Sequence, residues 1–112
     1  MLVVGAPISF DLGEHDAADV HSRPGKLPYD VALAFCPDRA AVRRRFTELS
    51  PRVTTAGSLW VAWPKKSSGV RTDLDENVVR DIGLGAGLVD VKVCAIDDTW
   101  AGLKFVRRLR DR

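Results

Sequence analysis

Two runs of this chain leave little freedom in the choice of fold. Tyr29 to Phe35 (YDVALAF) and Gly57 to Trp63 (GSLWVAW) are apolar almost throughout, and a strand with no polar side must be covered on both faces. Strands of that kind belong to parallel or mostly parallel sheets joined by helical crossovers. The stretch between them supplies such a crossover. After Pro37-Asp38, the residues Val42, Phe46, Leu49 and Val53 recur at i, i+4, i+7 and i+11, which is one face of a helix, with Pro51 ending it early.

The flanking segments extend the pattern. Met1 to Val4 reads as a short buried strand stopped at Gly5-Ala6-Pro7, and residues 8 to 28 are polar and punctuated by Gly13, Pro24, Gly25 and Pro28. Within them only Ala17 to His21 suits a weak strand. Beyond Pro64 comes a loop, KKSSGVR. Thr72-Asp73-Leu74-Asp75-Glu76 then has the hydroxyls and carboxylates of a helix start, with Leu74, Val78 and Ile82 as its buried stripe. Gly83, Gly85 and Gly87 end that helix. Leu88 to Ile96 and Thr99 to Leu109 are two further strands joined by a turn at Asp97-Asp98, so they must pair as an antiparallel hairpin. The predicted fold is a single α/β domain over residues 1–112: a small Rossmann-like, mostly parallel sheet closed by a C-terminal antiparallel hairpin. A terminal hairpin after βα units is similar to the second half of class I methyltransferases, so the expected sheet is methyltransferase-like.

Charge and cysteine usage exclude several functions. Seventeen basic and fifteen acidic residues leave a net charge of +2, too small to imply a polyanionic partner, and no nucleic-acid binding is expected. The arginines at 39, 43, 44 and 45 and the basic C-terminus (Lys104, Arg107, Arg108, Arg110, Arg112) have no aromatic residues interleaved on an obvious binding face. Cys36 and Cys94 lack Cys-x-x-Cys spacing and read as free, buried thiols. His15 and His21 have no third ligand at a useful spacing, so no metal site is expected. No run of 18 apolar residues and no basic leader occur, which predicts a cytoplasmic protein without membrane contact.

Gly83-Leu84-Gly85-Ala86-Gly87 mimics the opening of a dinucleotide fingerprint but follows a helix and precedes a strand. A phosphate-holding glycine turn needs the opposite order, so these residues read as cap and turn. After the first strand, where such a turn belongs, stands Gly5-Ala6-Pro7, with one glycine and a proline that has no amide hydrogen to donate. The better ligand candidate is Lys65, Lys66, Ser67, Ser68 and Gly69. It follows a buried strand, at the edge where open α/β sheets hold ligands, and offers two ammoniums, two hydroxyls and a permissive backbone to an anion. Asp73, Asp75 and Glu76 oppose that reading by placing negative charge at the next helix start. Asn77 and Arg80 could face the same edge. No catalytic residue is assigned, since no nucleophile and base can be paired from chain order.

The run LWVAWPKKSSGVRTDLDENVVR at 59–80, with VDVKVCAIDDTWAGLKFVRRL at 89–109, resembles a family of short bacterial proteins of unknown function. The matching positions include Trp60, Trp63, Pro64, Lys65, Lys66, Gly69, Thr72, Asp73, Asn77, Asp90, Lys92, Cys94, Asp97, Trp100, Gly102 and Phe105. Members of that family generally have a helical segment before the first strand, which this chain lacks, and Ala101 stands where serine is common. The resemblance implies a fold and no activity or cofactor. The expected function is therefore a non-catalytic Rossmann-like module for a small anionic ligand. The alternatives are an interaction or homodimerisation module that uses the terminal hairpin, whose last strand is a potential sheet edge, and a diminished methyltransferase.

Overall fold

The computed structural model describes residues 2–5 and 29–108. The expected strand at Ala17 to His21, both histidines and the end of the chain lie outside the described residues. The elements are β1 (Leu2–Val4), β2 (Tyr29–Phe35), α1 (Arg39–Leu49), β3 (Val53–Pro64), α2 (Glu76–Gly85), β4 (Leu88–Ala95) and β5 (Trp100–Arg107). Five strands form one sheet in the order β1-β2-β3-β5-β4. The β1–β2 and β2–β3 pairs are parallel, while β3–β5 and β4–β5 are antiparallel. The sheet is therefore mixed rather than mostly parallel.

The hairpin also sits differently from the expected addition at an edge. β5 lies between β3 and β4, hydrogen-bonded on both sides, with Leu103 opposite Val61 and Val93. The free edge of the hairpin is β4, and the last strand is not an edge. Burial explains the choice: β5 carries Gly102, Leu103 and Phe105 into the interior, whereas the middle of β4, from Val91 to Val93, is exposed. The more apolar strand takes the central place, and the alternating VDVKV with its irregular register between Asp90 and Lys92 takes the rim.

Both helices cover one face of the sheet. The α1 stripe is Ala41, Val42, Phe46 and Leu49, and the helix gives way at Leu49 to a single 3₁₀ turn through Pro51. Asp38 caps α1 by accepting from the Ala41 amide at 2.9 Å, and Asp75 caps α2 by accepting from the Val78 amide at 2.8 Å. The buried contacts of α2 are Val79 and Gly83. Leu74 is buried ahead of the helix, and Val78 and Ile82 only flank the core. The expected stripe is thus rotated by one residue.

Gly83 is the reason for the rotation. It does not end the helix, which runs on to Gly85; it lies directly against Phe105, and a Cβ there would overlap the phenyl ring. Phe105 in turn meets Phe46 edge to face, with ring centroids 4.9 Å apart at 89°. Of Gly83, Gly85 and Gly87, it is Gly87, at φ +91°, that uses the left-handed conformation glycine permits at such a turn. The opposite face of the sheet carries Val3, Leu33, Phe35 and Ala62, with Trp60, Ile96 and Trp100 packed against them. Trp100 meets Phe35 edge to face at 5.0 Å and so serves packing on this face. Asp97 Oδ1 accepts from the amides of Thr99 and Trp100 and holds the hairpin turn.

The outer side of α2 is tied to the sheet rim by Arg80, which donates to Asp90 at 2.8 Å, Glu76 at 2.7 Å and Asn77 at 3.1 Å. The hydrogen bond from Arg80 holds the Asp90 carboxyl below its usual range. The stability this linkage lends is complete above the ordinary aspartate pKa of about 3.9 and is lost as pH falls through the lowered value. Arg80 and Asn77 are thereby committed to α2 and β4.

Gly83→Ala should destabilise the protein by about 1–3 kcal/mol, because overpacking against Phe105 outweighs the helix-propensity gain of about 1 kcal/mol. Gly85→Ala meets open space and should be neutral or mildly stabilising. Urea unfolding of both variants checks the contrast.

Candidate functional site

The segments that follow β2 and β3 border an open cleft of about 710 Å³, lined by Pro37 and Asp38 after β2 and by Lys66 and Gly69 to Leu74 after β3. Both strands run parallel into this edge, the position at which open α/β sheets bind ligands. The walls are stitched together. The Thr72 hydroxyl donates to the Pro37 carbonyl at 2.7 Å and accepts from the Leu74 amide at 3.2 Å. The Arg39 amide donates to Asp73 Oδ1 at 2.9 Å, and Arg39 Nε donates to the Asp73 carbonyl at 3.2 Å.

The five residues singled out in the sequence separate into two groups. Lys66 and Gly69 line the cleft. Lys65 is half-buried and continues the ladder, its amide donating to the Thr99 carbonyl at 2.8 Å. Ser67 is exposed beside the cleft. The Ser68 hydroxyl donates to the Lys65 carbonyl at 2.6 Å and accepts from the Val70 amide at 3.2 Å, which makes it a brace of the Lys66–Ser68 3₁₀ turn. Gly69 closes that turn at φ +79°, a conformation that a side chain would strain.

Sequence reasoning missed Arg71 as a lining residue and misjudged the acids. Arg71 is exposed in the cleft wall, and neither it nor Lys66 has an ion pair among the described residues. The acids expected to repel an anion are occupied elsewhere. Asp73 faces Arg39, with Arg39 Nε 3.8 Å from Asp73 Oδ2; Asp75 caps α2; Glu76 pairs with Arg80. The i, i+4 spacing of Glu76 and Arg80 signals their pairing, whereas Asp73 and Arg39 meet across 34 positions and leave no local signal.

Cys36 follows β2 and is fully buried, its amide donating to the Ala62 carbonyl at 2.8 Å. Burial pushes its thiol up to about 12, against the opposing pull of Arg45 and Arg44. It therefore stays protonated and unreactive at neutral pH. Cys94 is half-buried on β4, and both cysteines are free; β3 and β5 separate their strands. Among the described residues no cluster of three or more His, Cys, Asp or Glu residues could hold a metal ion, and no helix is long and apolar enough to cross a membrane.

No family model matches the chain, and no curated protein matches it. Solved structures that superpose on the chain include methyltransferases. A ribosomal protein L11 methylase from Lactobacillus delbrueckii subsp. bulgaricus superposes with a TM-score of 0.55 at 8% identity, over 80% of this chain and 44% of its own. Magnesium protoporphyrin IX methyltransferase from Synechocystis PCC 6803, solved with bound SAM, gives 0.58 at 14% identity, over 80% of this chain and 45% of its own. LepI in complex with SAM gives 0.61 at 9% identity, over 85% of this chain and 32% of its own. The chain thus has a methyltransferase-like α/β fold and spans less than half the length of these three structures.

A thiol-specific reagent at pH 8 should modify Cys94 in the native protein and leave Cys36 untouched, with both reacting in denaturant. Peptide mass spectrometry of the labelled protein reads the outcome; modification of native Cys36 at a rate matching Cys94 would contradict the burial described above.

Proposed function

We propose that this chain is a non-catalytic module that binds a small anionic ligand in the cleft between the ends of β2 and β3. The observation that carries the reading is an asymmetry of commitment. Lys66 and Arg71 have no ion-pair partner among the described residues, while Asp38 and Asp73 are held by backbone amides and by Arg39. An arriving anion meets two unpaired cations, and the nearby carboxylates are already neutralised in part by their donors. Catalysis has little support among the described residues: the cleft carboxylates Asp38 and Asp73 are both held by donors, and the Cys36 thiol is buried and protonated.

A diminished methyltransferase is the second reading, favoured by the fold neighbours solved with SAM. The described cleft residues suit the carboxylate of that cofactor but not its sulfonium. Its sulfonium is a cation, and the unpaired groups of the cleft are themselves cationic. Gly5, at the end of β1, takes φ +71°, and a Cβ there would lie 2.7 Å from the Phe35 carbonyl oxygen; this close backbone approach is in keeping with a ligand turn.

The test is calorimetry with inorganic phosphate and with S-adenosylmethionine on the wild type and on a Lys66→Ala/Arg71→Ala variant whose fold is verified by circular dichroism. Phosphate should bind more tightly at low salt than at high salt, because unpaired surface cations are screened. The double variant should lose about tenfold in affinity or more, the equivalent of about 1.4 kcal/mol. Unchanged phosphate binding in the variant would place the site elsewhere, and low-micromolar S-adenosylmethionine binding would put the enzyme reading first.

A further inference from the structure

The basic surface does not stop at the cleft. Arg39, whose guanidinium reaches Asp73 in the cleft wall, begins α1, and Arg43 follows four residues later. Residues so spaced share one flank of a helix, about 6 Å apart along its axis. Arg43 is exposed, has no ion pair among the described residues, and lines a second open groove of about 530 Å³ between α1 and α2. Phe46, Thr47 and Ile82 form part of that groove, and Asp81 lines it on the α2 side without an ion pair to Arg43. Lys66 and Arg71 in the cleft and Arg43 on the flank of α1 are thus cations without an ion pair among the described residues, and between them stands Arg39, whose charge is shared with Asp73. Arg44 lies about 100° further round the helix, away from this flank.

We infer that the ligand of the cleft carries more than one anionic group and extends along α1, with its distal group held by Arg43. This inference rests on the anion-binding reading and adds the ligand class: a linear polyphosphate or polyphosphate ester rather than an isolated phosphate or carboxylate. Arg43 acts as a specificity determinant for the second anionic group. Its guanidinium can chelate two oxygens of one phosphate, which a lysine cannot reproduce. Asp81 is the opposing charge in the same groove, and the negative end of α2 adds to it, so the distal contact is weaker than the one in the cleft.

Calorimetry with inorganic orthophosphate and inorganic tripolyphosphate tests this on the full chain. Tripolyphosphate should bind the wild type about tenfold more tightly than orthophosphate. Arg43→Ala should reduce that preference to within about threefold and leave orthophosphate unchanged. Arg44→Ala, which removes the same charge from the other flank, should leave the preference intact, and Asp81→Asn should enlarge it. If Arg43→Ala and Arg44→Ala reduce tripolyphosphate binding equally, or neither does, or the wild type shows no preference, the extended ligand is overturned while the cleft reading stands. If the wild type binds neither anion, or Lys66→Ala/Arg71→Ala leaves both unaffected, the cleft reading itself falls.

Discussion

The contact on which the rest of the structure depends is the one between Phe105 and its two neighbours. Phe105 stands on β5, fully buried, with Phe46 of α1 edge-on to its ring and Gly83 of α2 directly against it. The absence of a side chain at Gly83 lets α2 come down onto the sheet. The same contact joins both helices to the reversed strand and gives β5 its central place. Burying a phenyl group contributes roughly 1.5–3 kcal/mol, and here that burial depends on a hydrogen atom in place of a methyl one helix away.

The candidate site follows from that packing. With α1 and α2 on one face and both capped at the same sheet edge by Asp38 and Asp75, the segments that lead into the helices meet above the ends of β2 and β3. Thr72 and Asp73 bind the segment after β3 to Pro37 and Arg39 after β2. These carboxylates and hydroxyls serve structure first. The electrostatic character of the cleft is therefore set by what the framework leaves over, Lys66 and Arg71, more than by the composition of the loop. Net charge by segment is a poor guide for this reason: an acid holding an amide or a guanidinium presents little field to a ligand.

Much of the architecture is legible in the residues themselves. YDVALAF and LWVAW read as doubly covered strands, the spacing of Val42, Phe46 and Leu49 as a helix face, and Pro51 as its end, because each signal is local and periodic. The hairpin partners were also legible, since only a short turn separates them. Which hairpin strand lies inside was recorded more faintly, in the polar alternation of VDVKV against the apolar WAGLKFV. Gly83 misled, since a glycine near a helix end reads as a cap until the ring it faces is known. In the site, the position of Lys66 and Gly69 at a strand edge was visible. The bracing role of Ser68, the place of Arg71 in the wall and the neutralisation of Asp73 were not.

The sequence by itself determined the number and kind of elements described here, the helix caps and the apolar content of each strand, because those properties depend on residues within a few positions of one another. Only the tertiary structure decided the strand order, the rotation of α2 about Gly83 and which charges of the described residues remain unpaired at the cleft. Those outcomes turn on contacts such as Arg39 with Asp73, 34 positions apart, and Gly83 with Phe105. Their partners share no periodicity, and chain distance carries no information about them until the sheet has brought them together.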